Sequence, residues 1–237
     1  MGVLLSQKVY EQLYAAMLDH RLKPGDRLNR RQVAEDLGVS VAPVLEAMTQ
    51  LEWEGFLSTS PRLGTVVRAV TARQVLGKFR LRQAIEVEAA RISAGAPIQG
   101  SRARLDALAT RADAAKSWSL ANYRTEVAMH SALVEAAGCR ELTATFSQVM
   151  RHSLFYAAHN LLPKMPERTP GMHLKLVAGL AHADANTAAR LIHEHLAPSF
   201  TALEALAAKE PADVLTNDIV RGEAAISLRT RRRGRSQ

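Results

Sequence analysis

The chain has 237 residues, 47% of them apolar and only 5% aromatic, with a formal net charge of +8 and one cysteine, Cys139. No apolar stretch is long enough to cross a bilayer as a helix, a single thiol excludes an internal disulfide and suits a reducing compartment, and the scarcity of β-branched runs excludes a β-rich fold. The first residues lack a charged segment followed by an apolar run and a cleavage site, so a cytoplasmic protein is expected. Charge is unevenly placed. Arg229, Arg231, Arg232, Arg233 and Arg235 supply most of the excess in the last nine residues, whereas residues 1–68 carry eight basic and eight acidic side chains, so net charge alone does not argue for a nucleic-acid surface.

In chain order, Ser6 reads as the cap of a first helix with Val9, Leu13, Ala16 and Met17 on one face, ended by the turn Lys23-Pro24-Gly25-Asp26. Asn29 precedes Gln32 at the spacing of a capping box, Val33, Ala34 and Leu37 mark the inner side of a short second helix, and Gly38 closes it. Ser40 caps a third helix that tolerates Pro43 in its first turn and turns Val44, Ala47, Met48 and Leu51 inward. Two short helices joined at a glycine make a helix-turn-helix. Phe56 to Thr59 and Gly64 to Val67 then read as two short strands of a hairpin wing.

These residues, in order, resemble the winged helix-turn-helix of GntR-type transcription regulators: Leu22-Lys23-Pro24-Gly25-Asp26-Arg27-Leu28, Leu37-Gly38-Val39-Ser40, Ala42-Pro43-Val44, Glu46-Ala47, Leu51-Glu52, Glu54-Gly55 and Gly64-Thr65-Val66-Val67. The resemblance implies that the third helix enters the major groove of double-stranded DNA with Ser40, Val41, Ala42 and Leu45 nearest the bases. It also implies that the wing, with Arg62 and Gly64, approaches the neighbouring groove and backbone. Arg31 stands where the family places a basic contact residue, and Arg30 and Arg62 are further phosphate contacts. Val41 and Leu45 depart from the family, which usually has arginine there; each lost contact costs about 1–3 kcal/mol. Both can pack on thymine methyl groups, so a site richer in A·T is expected at those positions. The competing view of the third helix is a core helix whose outer face touches nothing.

From Thr71 onward the pattern is helical, and six helices fit, over 72–95, 100–116, 119–137, 140–161, 171–182 and 184–208. The fold class is therefore mainly α: a winged helix-turn-helix over 1–68, an all-α bundle over 69–208, and a tail over 209–237 that reads as disordered. Buried polar groups in such a bundle become candidate ligands. Glu126 and His130 share a helix face at i, i+4, His173 opens the fifth helix, and His195 lies in the sixth. Three imidazoles and a carboxylate suit Zn²⁺, Ni²⁺ or Mn²⁺. For His152, His159 and His193 an ordinary hydrogen-bonded or exposed histidine is the expected reading.

Leu81-Arg82, Ile85-Glu86, the Glu126 to His130 pair, Ala136-Ala137-Gly138 and the stretch from Ala183-Asp184-Ala185 to His195 resemble the FCD ligand-binding domain carried by many GntR regulators. That resemblance implies a divalent metal on Glu126, His130, His173 and His195, with glutamate where aspartate is usual. It also implies a small organic acid as effector, with Arg82 as its partner, because a guanidinium offers paired donors to a carboxylate. Arg82 can equally pair with Glu86 at i, i+4. The arginine-rich tail adds sequence-independent phosphate contacts or is merely solvated.

The expected function is that of a homodimeric DNA-binding regulator, not an enzyme, whose affinity for a palindromic operator follows effector occupancy. The alternatives are a metal-dependent helical-bundle enzyme and a non-specific nucleic-acid-binding protein. Neither a separate nucleophile nor a separate general base stands out for the former. Salt-sensitive binding without sequence preference would mark the latter.

Overall fold

The computed structural model describes residues 4–61, 64–115, 117–162 and 169–210. Over these residues the chain forms two compact units. One contains the described part of Met1–Tyr10 with Lys23–Ala69, and the other contains Glu11–Leu22 with Val70–Glu210.

In the first unit, α1 (Leu5–Leu18) contributes its opening turns, and Tyr10 donates from its hydroxyl to Glu54 Oε2 at 2.7 Å. Ser6 lies inside α1 and not at its cap, because the helix already starts at Leu5. Asn29 caps α2 (Arg30–Leu37) by accepting from the backbone N–H groups of Arg31 and Gln32, at 2.9 and 3.4 Å. Only half of the expected capping box forms: the Gln32 amide donates forward to Asp36. Gly38 ends α2 with φ +63, a left-handed conformation that a side chain would strain. Ser40 has the extended backbone of a cap for α3 (Val41–Trp53) but makes no side-chain cap hydrogen bond. Val44, Ala47, Met48 and Leu51 are buried beneath α3, as their spacing predicts.

Three strands complete this unit. β1 (Arg27–Leu28) and β2 (Leu57–Ser60) flank β3 (Gly64–Val67), all antiparallel, with Leu57 opposite Val67, Thr59 opposite Thr65 and Leu28 opposite Thr65. β1 was not expected, since two residues are too few to show an alternating pattern. Glu52 ties α3 to the wing: its carboxylate accepts from the Thr59 N–H at 2.9 Å and hydroxyl at 3.0 Å.

The second unit is all helical. After the closing turns of α1 it contains α4 (Ala72–Ser93), α5 (Ala96–Gly100), α6 (Arg102–Asp113), α7 (Leu120–Glu135), α8 (Arg140–Ala158), α9 (Met172–Leu180) and α10 (Ala185–Ala207). The break expected at Ala96-Pro97 holds a short helix of its own, with proline in the first turn, where its missing N–H costs nothing. Thr71 forms a complete capping box with Gln74, and Asp184 caps α10 through the Thr187 N–H. α10 packs along α4, and one apolar cluster joins Ala90, Ile98, Leu105, Met129, Val177, Leu180 and Ile192 from six helices.

The chain does not leave this unit at residue 208. Glu210 accepts from the N–H groups of Ala72 and Arg73, and the Arg73 guanidinium donates back to the Glu210 carbonyl at 3.0 Å. Two first-turn donors of α4, which a helix cannot satisfy internally, are thereby paired. The expected tail lies, over residues 211–237, outside the described residues.

Candidate functional site

Two groups of residues stand out, one in each unit. In the first, the start of α2, the start of α3 and the strands β2 and β3 border an open groove of about 660 Å³ lined by Asn29, Arg30, Arg31, Val41, Thr59, Ser60, Gly64 and Thr65. Val41 and Leu45 are 43% and 44% exposed, and Ser40 and Ala42 are exposed beside them. The burial of Val44, Ala47, Met48 and Leu51 forces this outcome: with one stripe of α3 in the core, positions 41, 42 and 45 fall on the other side. Apolar side chains left in water on a helix start are available to contact a partner.

Arg30 and Arg31 are exposed and occupy the first turn of α2, which holds no acidic residue. Cations at this positive end of the helix dipole oppose it by about 0.3–1 kcal/mol each. Helix stability therefore does not account for them. Gly64 borders the groove with φ +71. Arg62 lies outside the described residues.

In the helical unit, His130 of α7, His173 of α9 and His195 of α10 converge. Each has a ring nitrogen within 4.8 Å of the other two, and the ring centroids are 5.0–5.8 Å apart. His130 and His173 are buried at 1% and 2% exposure, and His195 is partly buried. Glu126, also buried, is not one of this group, although it was expected as the fourth ligand. Sharing a helix face places two Cβ atoms about 5–6 Å apart but does not make the side-chain ends meet. His130 leans instead toward α4.

Two carboxylates from other helices hold the imidazoles. Glu86 of α4 lies 2.6 Å from His130 Nδ1, and Asp113, at the end of α6, lies 2.7 Å from His173 Nδ1. Asp113 also accepts from the N–H groups of His173 and Leu174, both at 3.1 Å, so one side chain orients a ring and caps α9. With the Nδ1 atoms of His130 and His173 engaged by carboxylates, a metal would be held through Nε2, and the Nε2 atoms of His130 and His195 are 3.4 Å apart. A histidine that ligates a metal commonly has its other nitrogen engaged by a carboxylate in this way.

Electrostatics favour the neutral form of His130 and His195. Burial, then the neighbouring His130 and His173, pushes His195 down to about 2. Burial also lowers His130, against the pull of Glu86. Burial alone would raise the Glu86 carboxyl, but His130 and Arg82 beside it hold it at about 2. A neutral imidazole offers a lone pair, as metal binding requires. The donor set thus fits a divalent ion that accepts three nitrogens.

Arg82, the expected effector contact, is 5% exposed and donates from Nε to Glu86 Oε1 at 2.6 Å, with its guanidinium 5.5 Å from the Phe79 ring centroid. The i, i+4 spacing signals this pair. Nothing in local spacing signals that Glu86 also reaches a histidine 44 residues away, or that Asp113 reaches one 60 residues away. His193 is exposed, and His152 and His159, in and at the end of α8, pack with Tyr156 and Phe155 and are not among the three grouped histidines.

Residues 5–67 match the family model described as "Bacterial regulatory proteins, gntR family", and residues 78–198 match that of the FCD domain. The chain is similar to "Uncharacterized HTH-type transcriptional regulator YdhC" of Bacillus subtilis, with 36% identity over 77 residues, 32% of this chain and 34% of the relative. That match thus spans about a third of the relative's length. Similarity to "HTH-type transcriptional repressor RspR" of Escherichia coli is 25% over 201 residues, 81% of this chain and 86% of the relative. Among solved structures, "E. coli McbR/YncC" shares the fold, with a TM-score of 0.64 and 21% identity over 86% of this chain and 99% of the other.

Proposed function

As the chain belongs to the GntR family of bacterial regulatory proteins and carries an FCD domain, we propose that it regulates transcription as a homodimer whose hold on a palindromic operator is set by a small organic acid bound, with a divalent metal, in the helical unit. The observation that carries this is the pairing, in one chain, of an exposed α3 start beside a basic groove with three imidazoles gathered in a helical core.

On the DNA side, Arg30 and Arg31 would bind phosphate and set register, while Val41, Ala42 and Leu45 meet base edges in the major groove. Ser40 sits at the mouth of α3, and Gly64 lets the wing backbone come close. Twofold symmetry of the dimer gives a palindromic site. A cytoplasmic place of action follows from an operator as partner; among the described residues no helix is long and apolar enough to cross a membrane.

On the effector side, His130, His173 and His195 would hold Zn²⁺, Ni²⁺ or Mn²⁺, which supplies a Lewis-acid partner for an effector carboxylate. Arg82 supplies the cationic partner, and an anion arriving there competes with Glu86 for the guanidinium. Effector and operator are then linked: if the effector binds one arrangement of the dimer better, it changes DNA affinity by the same factor that DNA changes its own.

The test is selection of bound fragments from random duplex DNA by the purified full chain at near-physiological salt, with metal content determined on the same preparation. A short palindrome with A·T pairs under Val41 and Leu45, and a divalent ion bound, is the expected result. Recovery of no motif, with binding that collapses as salt rises, would overturn the operator. A metal-free protein that takes up no added Zn²⁺ would overturn the metal.

A further inference from the structure

We propose that Glu86 is the positioning residue of the imidazole cluster: by dividing its two oxygens between Arg82 and His130 it fixes the His130 proton on Nδ1 and leaves Nε2 bare toward His195. Its importance for metal binding rests on the metal site proposed above; its control of the tautomer does not.

Arg82, Glu86 and His130 form a continuous buried chain, exposed by 5%, 2% and 1%. Glu86 Oε1 accepts from the Arg82 Nε–H at 2.6 Å, and Oε2 faces His130 Nδ1 at 2.6 Å. A guanidinium does not deprotonate, so Oε1 is always an acceptor there. An ionised carboxylate can only accept, so His130 Nδ1 must donate, and in a neutral ring that leaves the lone pair on Nε2. Asp113 does the same for His173 from α6, whereas His195 has no carboxylate partner among the described residues. Two of the three rings are therefore set in place by helices other than their own. Arg82 gains a second role: an anion that draws the guanidinium away from Glu86 disturbs a prospective metal ligand without touching it.

Glu86→Gln separates this from simple packing. The amide has one acceptor oxygen and one donor NH₂. Arg82, always a donor, claims the oxygen, so the NH₂ turns to His130 Nδ1, which must now accept, and the proton moves to Nε2. Selective ¹⁵N-histidine spectra of the metal-free full chain should show His130 as the Nδ1–H tautomer in the wild type and as the Nε2–H tautomer in Glu86→Gln. Zn²⁺ affinity should fall about ten- to a hundredfold. In the double variant Arg82→Met/Glu86→Gln the amide oxygen is free for Nδ1, so the wild-type tautomer should return and Zn²⁺ affinity recover to within a few-fold. A packing role would give no such rescue.

An unchanged tautomer in Glu86→Gln, or no rescue in the double variant, overturns the role of Glu86 while leaving the metal site standing. A wild type that binds no Zn²⁺ overturns the metal site, and the tautomer switch still decides Glu86. Should the single variant not fold, the wild-type spectrum decides: His130 protonated on Nε2 overturns the inference.

Discussion

Replacing Asp113 by alanine should damage the fold and the candidate metal site together. Asp113 makes three hydrogen bonds, to His173 Nδ1 at 2.7 Å and to the N–H groups of His173 and Leu174 at 3.1 Å each. The last two are first-turn donors of α9, whose N-cap Gly171 has no side chain to serve them. A net hydrogen bond contributes about 0.5–1.5 kcal/mol, and loss of a helix cap costs about 0.5–2 kcal/mol. Asp113→Ala should therefore destabilise the helical unit by about 1–3.5 kcal/mol. Asp113→Asn keeps the oxygen that serves His173 but presents an NH₂ to the Leu174 N–H, so it should lie between alanine and wild type. The assay is denaturant unfolding of the metal-free chain followed by circular dichroism, because a bound ion would add its own stabilisation. Zn²⁺ affinity, measured separately, should fall about ten- to a hundredfold as His173 loses its orientation. A transition within about 0.5 kcal/mol of wild type together with unchanged Zn²⁺ affinity would refute the reasoning.

Arg31→Ala should weaken all duplexes alike and lower the slope of log affinity against log salt by about one contact, whereas Leu45→Ala should leave the slope and relax base preference a few-fold; equilibrium binding to matched and mismatched duplexes separates the two. Metal-free protein should lose stability as pH falls below about 6.5. His195 is held at about 2 by burial and its imidazole neighbours, so between about 2 and 6.5 the unfolded chain binds more protons and stability rises with pH. From pH 6.5 to 5.5 its share is at most about 1.4 kcal/mol, and a His195→Asn chain that kept the full slope would show that another group carries it. Glu210→Ala leaves two first-turn donors of α4 without their acceptor and should lower stability by about 1 kcal/mol; a thermal midpoint equal to wild type would argue against it.

Where a few adjacent residues decide the outcome, the sequence largely suffices, although Ser6 lies inside α1 and Gln32 turns forward to Asp36. Asn29 and Gly38 bound α2, and the spacing of Val44, Ala47, Met48 and Leu51 fixes which face of α3 is buried, hence that Val41 and Leu45 are exposed. Those preferences act within one or two turns, and the ordered signals carry them intact. The grouping of His130, His173 and His195, expected from their order along the chain and from the resemblance to the FCD domain, agrees with their convergence in the helical unit.

What surrounds those rings was decided only by tertiary packing. Spacing pairs Glu126 with His130 on one helix face, but nothing local shows that Glu86, 44 residues earlier, engages the Nδ1 of His130 or that Asp113 braces His173. Likewise β1 exists because its two residues pair with β3, and Glu210 stays with the bundle because α4 offers it two unpaired donors. A hydrogen bond between distant segments depends on where whole helices pack, and no local periodicity encodes that. The sequence by itself determined the longer helices, the wing strands and the candidate histidines, whereas the packing of α4, α6, α7 and α9 decided which carboxylate serves which imidazole.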